Sequence, residues 1–166
     1  MVIFRCTQKF AKKFGIGFET VNSQKSETLL GDWYLSFFTY QRIDYLLGVS
    51  ENSLLPVIIT AQERKTFPER FRERLSEILR AIGIEQVRVD RELAEFQSIS
   101  FAPTRSKIVL GCQNDFIRMS SHILRNDPPA SLLEYPLQLS KIPFKPIGYD
   151  SPGETCLKLF DQEADI

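Results

Sequence analysis

Apolar positions along the chain change period several times, and each change predicts an element. Residues 2–4 are a short apolar run that predicts a strand. Residues 7–14 follow as a short helix, with Thr7 as its N-cap, Gly15 as its stop, and Phe10 and Phe14 on one face. Residues 19–28, "ETVNSQKSET", keep no apolar period and predict a loop. Three strands come next. "DWYLSFFTY" (32–40) and "YLLGVSE" (45–51) flank "QRID", a length suited to a hairpin, and "LLPVIIT" (54–60) returns as a third strand. Its Pro56 belongs at an edge or a strand start, where no ladder N–H is needed. Leu35 and Phe37 point one way, Phe38 and Tyr40 the other, so the pattern expects cover on both faces of the sheet.

The period then lengthens. Phe67, Phe71, Leu75, Ile78 and Ile82 recur every three or four residues, a helix over 67–82 with a capping box expected from Thr66 and Glu69 and a stop at Gly83. Residues 84–96 mix a strand-like "VRV" with a helical "DRELAEF"; a second helix is the reading adopted. "SISFA" (98–102) alternates as a half-buried strand ended by Pro103.

Over 105–125, at about 100° per residue, Val109, Cys112, Phe116, Met119 and Ile123 form one stripe and Leu110, Ile117 and Leu124 a second. This predicts a largely buried, central helix. Beyond 126 the pattern dissolves: six of the nine prolines fall between Pro128 and Pro152, yet Leu132, Leu133, Leu137, Leu139, Ile142, Phe144, Ile147 and Tyr149 remain. Such a segment reads as a strap packed on the domain, with short helices around 131–139 and 152–160. The expected architecture is α+β: one domain over 1–166, with a small, mostly antiparallel sheet packed against helices, one of them central, and a proline-rich C-terminal strap over 126–166.

Composition narrows the chemistry. The chain has 21 basic and 21 acidic residues, so no global charge draws it to nucleic acid or an anionic membrane, though a local basic patch stays open. Cys6, Cys112 and Cys156 are scattered and His122 is the single histidine, so no disulfide framework, CxxC motif or multi-His metal site is expected, and no cofactor. "MVIFRCTQKF" breaks its apolar run at Arg5 and is not a signal peptide; no run approaches the ~20 residues of a membrane span. A cytoplasmic setting without membrane partners is the expectation.

The start of the 105–125 helix breaks a local rule. Arg105 and Lys107 sit where the helix dipole disfavours cations, by ~0.3–1 kcal/mol each. With Ser106 and the free N–H groups of the first turn they suit a phosphate or carboxylate; otherwise they pair with acids elsewhere in the fold. Arg5 and Lys9 extend the basic set, joined by Lys12 and Lys13. Asn114 and Asp115 point away from Gln113, so the three do not line one pocket. Asp115 is either an acid–base candidate near His122 or a surface partner of Arg118. Gln113 fits a core amide bonded to backbone or a site residue, and Trp33 a core anchor or a stacking platform.

Four stretches taken in order, "IFRCTQKF", "LGDWY", "TRSKIVLGCQNDF" and "IPFKPIGYDSP", resemble an uncharacterised bacterial family of single-domain proteins, domain of unknown function 6933. The resemblance spans nearly the whole chain. It implies a full-length single domain, lends weight to Arg105, Ser106, Gly111, Asn114 and Asp115, and implies no reaction. The chain departs from the family pattern after Trp33, where Tyr34, Leu35 and Ser36 replace a polar His or Tyr followed by Asn, and in its central motif, which Lys107, Ile108 and Val109 lengthen.

Three functions remain in play. The first is a binding or accessory protein with an anion site at the 105–125 helix start, for a phosphate-bearing ligand, nucleotide or nucleic acid. The second is a hydrolase or nuclease-like enzyme using Asp115 with Arg105. The third is a protein-interaction module using the strap or the edge near Pro56. Binding or interaction ranks above catalysis, because clustered carboxylates, histidines and glycine-rich phosphate loops are absent from the sequence.

Overall fold

The computed structural model describes residues 1–18, 25–61, 65–126 and 132–164, without the side chains of 123, 126 and 164. Along the chain run β1 (Val2–Cys6), α1 (Gln8–Phe14), β2 (Trp33–Tyr40), β3 (Ile43–Ser50), β4 (Pro56–Thr60), α2 (Phe67–Ile82), α3 (Gln86–Ala94), β5 (Ile99–Pro103), α4 (Lys107–Asn126), α5 (Glu134–Leu139) and α6 (Pro152–Ala164). Part of the loop expected over 19–28, at 19–24, and part of the proline-rich segment, at 127–131, lie outside the described residues.

All five positions of β1 are buried, which requires strands on both of its edges and layers on both of its faces. The sheet order β4-β3-β2-β1-β5 supplies the strands. β2, β3 and β4 form an antiparallel meander, while β1 pairs in parallel with β2 on one side and with β5 on the other. The architecture is α+β, with a mixed, mostly antiparallel sheet. The central, doubly parallel place of β1 is what the pattern did not announce: alternation reports which way side chains point, not which strand lies alongside.

Alternation divides the sheet into two faces. On the front, Val2, Phe4, Cys6, Trp33, Leu35, Leu46, Val57 and Ile59 pack against α1, α2, α3 and α6. On the back, Tyr34, Phe38, Leu47, Val49 and Ile58 pack against α4, Tyr135 and Leu139 of α5, and Phe144. Pro56 both starts β4 and stands on an edge strand, so its missing N–H leaves no gap in the ladder.

Three details differ from the sequence reading. The hairpin turn is only Gln41–Arg42, both at positive φ (48° and 66°), as a two-residue primed turn demands, so β3 starts at Ile43 rather than Tyr45. Thr66 occupies the cap position of α2 but makes no side-chain capping bond, its φ of −106° and ψ of 0° lying outside the extended cap geometry. Residues 86–94, by contrast, form the second helix that the sequence reading adopted. The two apolar stripes of α4 are unequal: Val109, Cys112 and Phe116 are buried, Leu110, Ile117 and Leu124 only partly so, and Ile108 is 63% exposed. One layer covers the back face, so α4 shows its far side to solvent.

Candidate functional site

Arg5 is the single charged residue of β1, and alternation points it to the back face beside Ile3. A guanidinium buried there needs a carboxylate and hydrogen-bond acceptors, because an unpaired buried charge is prohibitive. Both are present. Arg5 Nε donates to Asp32 Oδ2 at 2.6 Å, and its NH1 donates to the carbonyl of Pro103 at 3.0 Å. Asp32 is fully buried, immediately before β2, and its Oδ1 accepts from the backbone N–H of Ser26 (2.9 Å) and the Ser26 hydroxyl (2.8 Å).

The segment before β2 is held from several sides. Glu92 of α3 accepts the N–H groups of Leu29 (3.0 Å) and Leu30 (3.1 Å) on its two carboxylate oxygens. Ser50 Oγ donates to the Leu30 carbonyl at 2.6 Å, and Asn52 Nδ2 to that of Leu29 at 2.9 Å. Gly31 adopts φ +74°, a left-handed conformation that favours glycine, with the Asn52 side chain lying against it. Burial pushes the Glu92 carboxyl above its ordinary pKa, and the two backbone N–H groups pull it back only in part.

Arg105 completes the cluster from the start of α4. Its NH2 lies 3.5 Å from Asp32 Oδ2 and 3.4 Å from Glu51 Oε1. Both contacts are long, and the Arg105 side chain is 40% exposed. Partial burial works against its charge, yet Glu51 and Asp32 outweigh that and raise its pKa. Tyr34, also buried, sets its hydroxyl 3.5 Å from Glu51 Oε1; burial first and the Glu51 charge second push its pKa up. Ser106 caps the helix, its hydroxyl accepting from Val109 N at 3.3 Å. The N–H groups of Lys107 and Ile108 fall in the first turn, where a helix offers no internal acceptor.

The topology singles out this end of the sheet. β1 and β5 are adjacent and parallel, yet β1 leads into α1 on the front and β5 into α4 on the back. That divergence is a topological switch point, the place where open sheets with parallel strands receive ligands. Arg105 and Ser106 follow β5 directly.

The other candidates are dispersed. Lys107 is exposed beside Arg105. Lys9 is on α1, on the opposite face of the sheet from Arg105. Trp33 is fully buried, its ring edge-on to Phe71 at 5.0 Å, and no ligand ring reaches it from solvent. Asn114 is exposed, and Asp115 pairs with Arg118 one turn on, about 12 Å along the helix from Lys107 at 1.5 Å per residue. Arg105 and Asp115 are therefore not brought together. Gln113 donates its amide to the carbonyls of Tyr34 (2.8 Å) and Leu47 (3.3 Å), the satisfied core amide of the first reading. Burial pushes the Cys6 and Cys156 thiols up to about 12, which keeps them protonated and non-nucleophilic. Among the described residues no group of His, Cys, Asp or Glu is arranged to hold a metal ion, and no helix is long and apolar enough to cross a membrane.

Sequence reasoning missed Asp32, Glu51, Ser26 and Glu92. One signal was available: a lone arginine in the apolar run "VIFRC" demands a buried acid somewhere in the chain. Which acid depends on pairing between strands far apart in sequence.

Comparison with known proteins gives a family without a chemistry. Residues 3–155 match the model of the family described as Domain of unknown function (DUF6933). No curated protein matches the sequence.

Proposed function

The chain belongs to the DUF6933 family, and we propose that it is a binding or accessory protein whose site is the start of α4, taking a ligand through an anionic group, a phosphate or a carboxylate. The observation that carries this reading is Arg105. It stands at the switch point, partly exposed, on long contacts to two carboxylates, beside Lys107 and the open N–H groups of the first turn of α4. A ligand anion can take Arg105 without dismantling the core, because Asp32 keeps its short bond to Arg5. Binding is favoured over catalysis because Asp32 is committed to Arg5, and Asp115 is ten residues, nearly three helical turns, from Arg105. The same reading treats 1–166 as one folding unit, with 126–166 packed on it, working in the reducing cytoplasm that suits three free, buried cysteines.

Native mass spectrometry with the 260/280 nm absorbance ratio, on protein purified at low salt, tests this with wild type beside Arg105→Glu. A bound mass present in wild type and lost in the folded variant supports the reading and names the ligand class. A bound mass retained by Arg105→Glu, or apo-protein in both with no heat of binding for phosphate, nucleotides or small carboxylates, overturns it.

A further inference from the structure

The outer side of α1 carries a second anomaly, on the opposite face from Arg105. Its sequence "QKFAKKF" has three lysines and no acid. Phe10, Ala11 and Phe14 turn inward, leaving Lys9 and Lys12 exposed and Lys13 half-exposed. Lys9 and Lys13, four apart, both stand over the Phe37 ring, with their Nζ atoms 5.2 Å and 4.5 Å from its centroid. Like charges at this spacing repel, and the attraction of one ring for two ammonium groups offsets that only in part. Among the described residues one carboxylate answers them: Asp44 Oδ2, 2.8 Å from Lys13 Nζ. Arg42, exposed at the β2–β3 turn two residues before Asp44, adds a fourth cation at this end of the sheet. The hairpin also exposes Ile43, at 42%.

Lysines converging on a half-buried aromatic ring, with Asp44 the one carboxylate paired with them among the described residues, fit a polymer that alternates negative groups with flat rings. We infer that the α1 lysines and Phe37 form a docking surface for single-stranded nucleic acid. Phosphates neutralise Lys9, Lys12 and Lys13, and a base packs at the Phe37 ring as the lysines swing out to the backbone. A folded anionic protein offers carboxylates but no regular alternation of charge and flat ring. The outward positions of α1 are Gln8 and lysines, which leaves an anionic bilayer only Ile43 of the hairpin and Phe18 after α1 as apolar side chains to insert. This surface is independent of the site at α4, so either can fail alone.

Fluorescence anisotropy with a labelled oligo-dT about 20 nucleotides long tests it on the full chain. Three lysine–phosphate contacts predict that log K falls against log salt with a slope of about −2. The double variant Lys9→Gln, Lys12→Gln, which keeps the helix propensity, is expected to flatten the slope to about −0.7 and weaken low-salt binding about tenfold or more, with thermal melting unchanged. Phe37→Leu is expected to weaken binding at every salt concentration while keeping the slope. Absence of salt-dependent binding by wild type, binding unchanged in the lysine double variant, loss of binding only in Arg105→Glu, or binding to anionic vesicles in place of oligo-dT would each overturn the inference.

Discussion

The two faces of the sheet are built from different materials. The front is closed by rings: Phe71 lies edge-on to Phe4 at 5.3 Å and to Trp33 at 5.0 Å, and Phe4 also meets Phe67, Phe96 and Phe101. Phe71 sits so close to β3 that a Cβ on Gly48 would stand 2.3 Å from its Cε2. The back face carries Arg5, Asp32 and Gln113 among its buried groups, each held by named hydrogen bonds. Apolar packing tolerates little change of volume but needs no particular partner. A buried ion pair tolerates volume change poorly and loss of a partner worse, and it contributes little net stability itself. A fold with an adequate apolar core in front therefore has no need of the charges behind. Their presence fits the ligand site proposed at the start of α4.

The sharpest way to break that contrast is to strip one charge from the back. Asp32→Ala leaves Arg5 buried without its partner and is expected to cost about 3–5 kcal/mol in chemical denaturation, while Arg5→Met with Asp32→Leu recovers most of that loss. If the double variant is as unstable as the single one, the pair is structural and the contrast fails. On the front, Gly48→Ala drives a methyl into Phe71 and is expected to cost about 1–3 kcal/mol, read from the same denaturation curves.

A smaller effect depends on pH. Glu92 is raised by burial, so the folded state binds its proton more tightly than the unfolded chain does. Its contribution favours folding at low pH and declines as pH rises from the unfolded carboxylate range through the raised folded value. Glu92→Gln removes this decline, so across that window the melting temperature of wild type should fall relative to that of the variant as pH rises. The smallest effect belongs to Asp115→Ala. It removes a surface pair with Arg118 and is expected to shift stability by under about 0.5 kcal/mol and binding not at all. A loss of any activity or binding in that variant would return Asp115 to the site.

Much of the front face was legible. Phe67, Phe71, Leu75 and Ile78 announced α2, and Thr7 and Gly15 bounded α1 as their residue types require, Thr7 accepting from Phe10 N and Gly15 taking φ +64°. The α+β class and the family followed from patterns and from four short motifs. The back-face cluster was not legible, and the reason is geometric. Arg5, Asp32, Glu51 and Arg105 are spread across the chain, and only the parallel pairing of β1 with β2 and β5 gathers them. Arg105 stood out because the sequence placed it in the first turn of a helix over 105–125; α4 in fact starts at Lys107 after the Ser106 cap, so Arg105 lies just before the helix and only Lys107 sits in its first turn. Asp32 broke no local rule, since an aspartate before a strand is unremarkable until its partner is known.

The central claim is that Arg105, and not the core arginine beside it, is the residue that meets a ligand. The direct measurement is the pair of arginine side-chain Nε–Hε resonances in a heteronuclear NMR spectrum, followed as inorganic phosphate and then a nucleoside monophosphate are added at low salt. The account predicts that the Arg105 resonance moves in a saturable way along with the backbone amides of Lys107 and Ile108, while Arg5, locked between Asp32 and Pro103, stays in place. Resonances of Arg105 and the first turn of α4 that do not move under either ligand, or that move no more than those of Arg5, would contradict it.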